Sequence, residues 1–270
     1  MQVDEAVEGG FTSKLDWRSV ETLTFGEFIG AQPPILKEII GNNLLVTEGR
    51  LLMYGPYGCG KSNMGIQLAT CIAMGKNFLM LPCTQCNTYM VNLEMNKWQW
   101  RKRLEKHFIN NGGIYPTNML FATEFNLKLD KEEGVQKLAG ELTKHPEIDF
   151  LWIDPLIKCI SGNISDSQAM VKFCDNMDLI ILKFKVAVGI ATHTRKTVFS
   201  KMGEKIDLGA EEILGSNVLP GWADTIIGIK PKVGGIDMID MQFQKIRYSE
   251  HFIPPLSLHF NREHLCYKIV

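Results

Sequence analysis

Two rhythms run along this chain. First, short apolar runs alternate with segments whose apolar residues recur at helical spacing; towards the C-terminus, apolar and polar positions alternate one by one. The apolar runs predict strands at Leu51 to Tyr54, Thr88 to Leu93, Asn118 to Ala122, Asp149 to Asp154 and Val186 to Ala191, the last apolar throughout, as a strand buried on both faces should be. Between them the spacing predicts helices over Asn63 to Met74 with Gly75 as C-cap, from Asn96 to about Phe108, from about Lys131 to Lys144, and from Asp166 onward, where Met170, Cys174, Met177, Ile181 and Phe184 share one face. In the second helix Trp100, Leu104 and Phe108 form a buried stripe, while Trp98, Trp100, Arg101 and Arg103 read as one helix with a core side and a solvated basic side. The tail segments Thr225 to Ile229, Ile236 to Ile246, Leu256 to Phe260 and Leu265 to Ile269 read as antiparallel strands.

The lead-in, residues 1–48, is weakly patterned. It suggests a short helix over Phe25 to Ile29, a turn at Gln32-Pro33-Pro34 and a second short helix over Ile35 to Ile40; another short helix is expected around Glu211 to Leu214. The expected architecture is α/β, a mostly parallel central sheet flanked by helices and finished by antiparallel strands. It would occupy residues 49–270, with residues 1–48 packing on the core or on a neighbouring subunit.

In such a sheet, ligands gather at the carboxyl ends of the strands. Gly55-Pro56-Tyr57-Gly58-Cys59-Gly60-Lys61-Ser62 lies between the first core strand and its helix, which is the pattern and the context of a phosphate-binding P-loop. Gly55, Gly58 and Gly60 leave the loop amides, from Cys59 to Asn63, free to wrap phosphates, and the helix adds the positive end of its dipole. Lys61 would reach the terminal phosphates of ATP, and Ser62 would ligate Mg2+. Three further strand ends are polar: Glu94, Asp154 and Thr192-His193. Asp154 would organise the metal and stay ionised beside it. Glu94, on a strand expected beside the P-loop strand, would orient or deprotonate the attacking water. His193 would sense the γ-phosphate and pass that on to the loop behind it.

Composition narrows the setting. Hydrophobic residues at 45% and charged residues at 22% are ordinary for a globular protein, and 270 residues suffice for one large domain. No apolar run reaches membrane-spanning length and the acidic start lacks the features of a signal peptide, so a cytoplasmic protein with no membrane partner is expected. Seven scattered cysteines read as reduced residues. Cys83-Thr-Gln-Cys86 supplies two of the four ligands zinc needs, with no second pair following, and reads as a turn. A net charge of −1 argues against a broadly basic nucleic-acid-coating surface, leaving a local patch or a channel lined by several subunits.

The ordered segments GPYGCGKS (55–62), VNLEM (91–95), FLWIDPL (150–156), IATHTRK (190–196) and LGSNVLPGWADTIIGI (214–229) together resemble the RecA-type ATPase core. Within it they resemble the RepA-like hexameric replicative helicases of plasmids and phages, over roughly residues 30–247. The resemblance assigns Gly55, Gly58, Gly60, Lys61 and Ser62 to the P-loop, Glu94 to the catalytic glutamate, Asp154 to the magnesium-organising acid and His193 to the sensor. It implies a homo-oligomeric, hexameric ring with ATP at each subunit interface. Gln244-Lys245-Ile246-Arg247 resembles the K-x-R pair that DnaB-type helicases point into the neighbour's site, where Lys245 and Arg247 would offset charge on the phosphates. It further implies that the loop Arg195 to Gly209 contacts single-stranded DNA in the channel. That loop carries Arg195, Lys196, Lys201 and Lys205 against Glu204 and Asp207, with Phe199 among them, and Lys158 could add to the lining. The implied activity is DNA-helicase movement driven by ATP hydrolysis in DNA replication, with a loader or primase as partner. Two alternatives on the same core stay open: a single-strand-binding recombinase or annealing ATPase that forms filaments, and a KaiC-like ATPase scaffold without nucleic acid.

Overall fold

The computed structural model describes residues 22–32, 36–109, 113–123, 126–194, 213–214, 217–232 and 234–270. The chain divides into two compact units, Met1–Leu36 and Lys37–Val270. In the first, α1 (Phe25–Gly30) is closed by a capping box. Glu27 N donates to the Thr24 hydroxyl at 3.3 Å, and Thr24 N donates to the Glu27 carboxylate at 2.8 Å.

The second unit opens with a hairpin, β1 (Glu38–Ile40) and β2 (Leu45–Val46), where a second short helix is expected over Ile35 to Ile40. Turn chemistry decides against the helix. Asn42 and Asn43 adopt φ of 62° and 52°, the left-handed pair that reverses a hairpin, and the β-branched Ile39 and Ile40 are buried. Hydrogen bonds from Gly41 N to Pro82 O (2.8 Å) and from Thr84 N to Ile39 O (3.0 Å) stitch β1 to the core.

The main sheet contains β3 (Arg50–Gly55), β4 (Thr88–Asn92), β5 (Met119–Thr123), β6 (Phe150–Asp154), β7 (Ala187–His193), β8 (Thr225–Pro231), β9 (Met238–Ile246), β10 (Leu256–Asn261) and β11 (Cys266–Ile269). Its order is β11-β10-β9-β8-β3-β7-β6-β4-β5, parallel from β8 to β5 and antiparallel from β8 to β11. Helices α2 (Lys61–Met74), α3 (Lys97–Ile109), α4 (Glu132–Lys144), α5 (Ser167–Phe184) and α6 (Val218–Trp222) complete the fold. Every residue of β4, β6 and β7 is buried, as strands covered on both faces must be, whereas β9 alternates. The capping residues behave as their chemistry dictates. Asp166 accepts from Gln168 N at 2.9 Å to start α5, Asn96 accepts from Trp98 N and Gln99 N at 3.1 and 3.0 Å before α3, and Gly75 ends α2 in the left-handed region.

The expectation that the Glu94 strand lies beside the P-loop strand fails: β7 and β6 stand between β3 and β4. Glu94 is nevertheless near enough to Lys61 and Asp154 to interact with both. Helix α2 spans roughly 21 Å at the usual helical rise, touches β7, β6 and β4, and ends beside Cys86 and Asn118, at the starts of β4 and β5. Gly65 sets it low on the sheet, because a Cβ there would collide with the indole of Trp152 on β6. Among the described residues, no helix is long and apolar enough to cross a membrane. All seven cysteines are free; burial pushes the Cys83 thiol up to about 11, Cys83 is bridged to Ile40, and Cys86 is buried against the end of α2, its N–H donating to Ile72 O at 3.1 Å.

Candidate active site

The P-loop leaves β3 at Gly55 and enters α2 through Gly60, whose φ of 91° suits glycine. The first turn of α2 carries no acidic side chain and no side-chain cap, so its leading N–H groups face outward as donors for an anion. Lys61 is buried, and its Nζ donates to Gly55 O and Pro56 O, both at 2.8 Å. Burial lowers the pKa of this lysine, while Cys59, Asp154 and Glu94 act against that shift.

Asp154 ends β6 in a buried position beside Ser62, whose hydroxyl donates to it. Burial raises the Asp154 pKa and the Ser62 hydrogen bond opposes the rise; Glu94 adds to it, while Lys61 and Arg103 oppose it. The parallel register sets Asn92 opposite Asp154, and Leu93 N donates to Asp154 O at 2.9 Å. Beyond Asn92 the chain turns sharply. The Asn92 side chain accepts from Glu94 N (3.3 Å) and Met95 N (3.1 Å) and donates to Met95 O (2.6 Å). Glu94 therefore stands just past the strand end and is exposed, with access to water.

Arg103 corrects the reading of α3. It is half-buried and close enough to Asp154 and Glu94 to interact with both, rather than lying on a solvated side. Trp100, Arg103 and His107 recur at helical spacing, and Trp100 and His107 are both buried. That second stripe is the signal that could have found Arg103. Trp98 and Arg101 are exposed.

His193 is the last residue of β7, in register with Gly55. Tyr57 of the P-loop stacks on its imidazole, with ring centroids 3.7 Å apart and planes 17° from parallel. Burial, helped by Lys61, lowers the His193 pKa to about 4, so the ring is neutral at ordinary pH. The described residues that follow it are paired: Thr194 and Ile213 form an antiparallel bridge, Leu214 N donates to His193 O at 2.7 Å, and Thr194 N donates to Gly55 O at 3.2 Å. Ile213 is thus in extended pairing rather than the short helix expected over Glu211 to Leu214. Arg195, Lys196, Phe199, Lys201, Lys205 and Glu211 lie outside the described residues.

Lys245 and Arg247 sit elsewhere. Ile246 pairs with Thr225 at the end of the sheet where Arg50 begins β3, roughly 16 Å of strand from Gly55. Lys245 Nζ donates to Pro220 O (2.8 Å) and Ala223 O (2.6 Å), and Arg247 pairs with Asp224 at 2.8 Å. Neither reaches this chain's own P-loop. A residue that does reach it is Tyr267 of β11, whose hydroxyl lies 3.4 Å from Cys59 O and 3.3 Å from Gly60 O. No local pattern announces a contact 207 residues apart.

The residues present fit a magnesium–nucleotide. Buried polar atoms without a partner include Asn63 Oδ1 in the first turn of α2 and His193 Nδ1 beside Gly55. Ser62 and Asp154 offer two hard oxygen ligands side by side. Among the described residues no three His, Cys, Asp or Glu side chains converge as a metal cage. One carboxylate and one hydroxyl match the way magnesium is held, with waters and phosphate oxygens completing its shell.

Fold and site together define a RecA-like P-loop ATPase. The chain belongs to the family described as an AAA domain (AAA_25), which matches residues 18–198, about two thirds of the sequence. Among the solved structures that share the fold at low identity are three that differ in role. One is a DnaB-like replicative helicase, studied with its interactions with primase, at 14% identity and TM-score 0.63 over 82% of this chain. The chain spans 59% of that helicase. A KaiC-like protein from Pyrococcus horikoshii OT3 matches at 13% identity and TM-score 0.56, over 84% of this chain and 91% of that one. The RadB recombinase matches at 14% and 0.53, over 83% and 91%. No curated protein sequence matches the chain significantly.

Proposed function

We propose that this ATPase is a ring-forming motor on single-stranded DNA, a hexameric replicative helicase of phage or plasmid type. The observation that carries the reading is the pairing of Thr194 with Ile213 and the hydrogen bond from Leu214 N to the carbonyl of His193, the residue beside Gly55 and under Tyr57. A displacement of His193 pulls directly on Leu214 and Thr194, so a change at the terminal phosphate reaches the base of the loop that holds Arg195, Lys196, Lys201 and Lys205. The likeness to the DnaB-like helicase fold adds support, and a loader or primase is the corresponding partner.

Each residue has a definite task in this reading. The amides from Cys59 to Asn63 and the Lys61 ammonium bind the phosphates of ATP, Lys61 exchanging two carbonyl partners for a charged one. Ser62 and Asp154 hold Mg2+, which when bound supplies positive charge against the phosphate oxygens. Glu94 orients a water and takes its proton on the carboxylate. His193, neutral, presents Nδ1 as a hydrogen-bonding partner near the terminal phosphate. Lys245 and Arg247 complete a neighbour's site. Their place at the sheet end away from their own P-loop supports a role between subunits.

The test is the ATPase rate per subunit across protein concentration, with and without single-stranded DNA, beside the oligomer mass. The motor reading expects a rate that rises on assembly, is stimulated by DNA and loses that stimulation with salt or in Lys196→Ala and Lys201→Ala chains. Strand displacement must accompany it; DNA-stimulated turnover without displacement would favour a recombinase. Hydrolysis by a monomer indifferent to DNA would overturn the reading in favour of a KaiC-like scaffold.

A further inference from the structure

We propose that Tyr267, on the last strand of the sheet, is a positioning residue for nucleotide binding: its hydroxyl sets the direction in which the P-loop amides of Gly60 and Lys61 point. The inference rests on the reading that this loop binds ATP. Tyr267 is buried, its ring packs 4.8 Å from that of Phe260, and its hydroxyl faces the carbonyl oxygens of Cys59 and Gly60 at 3.4 and 3.3 Å. Burial raises the phenol's pKa, so it stays a protonated donor at neutral pH.

The consequence follows from peptide geometry. A planar trans peptide points its C=O and N–H in opposite directions. Holding the carbonyls of Cys59 and Gly60 toward Tyr267 therefore turns the N–H groups of Gly60 and Lys61 to the opposite side of the loop. Gly60 O has a second anchor, accepting from Met64 N at 3.0 Å as α2 begins. The Cys59–Gly60 peptide is thus the one that depends most on the phenol. The same contact gives Gly60 a reason beyond its φ, since a Cβ there would overlap the Tyr267 hydroxyl.

Tyr267 is itself tied to the helix that the loop feeds. Gln67 of α2 donates Nε2 to Tyr267 O at 2.9 Å and accepts from Tyr267 N at 2.7 Å. Behind this pair a cavity of about 400 Å³ opens between the two elements, lined by Thr70, Cys71 and Met74 of α2 and by Cys266 and Lys268 of β11. The strand is hydrogen-bonded to the helix at Tyr267, and the same residue's hydroxyl faces the P-loop.

The experiment uses the full chain and Tyr267→Phe, which keeps the ring and its Phe260 contact and removes only the donor. Without nucleotide, the backbone amide 15N order parameters of Gly60 and Lys61 should fall while those of β10 and β11 stay as in the parent. Affinity for ADP with magnesium should fall about three- to ten-fold, the span expected for one hydrogen bond. KM for ATP should rise by a like factor, with kcat within about two-fold. Unchanged order parameters at Gly60 and Lys61 overturn the inference, as does parental ADP affinity. The relaxation measurement needs no nucleotide. A parent chain that binds no ADP would overturn the ATPase reading while leaving this inference to be decided by the order parameters.

Discussion

The two ends of β3 make a controlled comparison, because both are polar clusters in the middle of the same sheet. At the Arg50 end the arginines are answered within the chain, while Lys245 rests on main-chain carbonyls. Arg50 pairs with Asp178 at 2.9 Å and Asp224 at 3.4 Å, its guanidinium lies over Trp222, Trp222 Nε1 donates to Asp178 at 2.8 Å, and Arg247 closes the ring on Asp224. At the Gly55 end, Asn63 Oδ1 and His193 Nδ1 are buried without partners, and Lys61 rests on main-chain carbonyls. Leaving a buried polar atom unpaired costs about 1–3 kcal/mol. Unpaired atoms also occur away from the P-loop, at Thr88 Oγ1 and Trp152 Nε1, so incomplete pairing points to a ligand only where it coincides with the free amides of the P-loop. The Arg50 end is held together chiefly within the chain, and the Gly55 end is arranged for a ligand.

Glu94→Gln is the hardest test of the open end. Turnover should fall by about 10²–10⁴-fold while ATP binding changes less than about three-fold, measured by steady-state hydrolysis beside nucleotide titration. Intact turnover with nucleotide still bound would remove Glu94 as the base. At the closed end, Asp224→Asn should lower unfolding stability by about 3 kcal/mol in a denaturant titration, because two arginines lose a buried partner. The folded monomer should keep its nucleotide affinity. A loss of affinity instead would mean that the two ends are not independent.

Lys245→Ala sharpens the contrast further. It removes an ammonium that holds carbonyls at the end of α6, worth about 1 kcal/mol of stability. The smallest expected effect is a pH slope. The folded pKa of His193, about 4, lies below its ordinary 6.5, so the unfolded chain binds more protons between those values. This histidine's share of stability is whole above pH 6.5 and is lost as pH falls toward 4. Relative to His193→Gln, the parent should weaken by about 1 kcal/mol per pH unit across that window at most. Equal slopes by denaturant titration at pH 7, 6 and 5 would place the imidazole in water rather than under Tyr57.

Much of this was legible in the residues, and the failures share a cause. The apolar runs mark β3, β6 and β7 because complete burial leaves an uninterrupted signal, and Asp154 and His193 stand out as the polar residues that end them. Strand order left no such mark: nothing near Thr88 says that β6 and β7 will insert before β3, so Glu94 was set one neighbour from the P-loop strand. The β1–β2 hairpin was hidden because a three-residue strand is shorter than a helical repeat, although Gly41-Asn42-Asn43 carried the turn chemistry. Arg103 shared a helical stripe with Trp100 and His107, but Tyr267 becomes visible only when β11 is brought against the P-loop, a tertiary fact with no period in the chain.

One measurement bears most directly on whether the two ends of neighbouring chains act together. Arg247 is the more exposed member of its pair with Asp224, at 41% against 3%. Chains carrying Glu94→Gln are to be mixed with chains carrying Lys245→Ala and Arg247→Ala, and ATP turnover followed while mass confirms mixed assemblies. Trans completion predicts that each variant alone is nearly inactive and that the mixture regains turnover, because some interfaces combine an intact Glu94 with an intact Arg247. Full activity of the Lys245→Ala, Arg247→Ala chain alone, or no recovery in proven mixed assemblies, would contradict it.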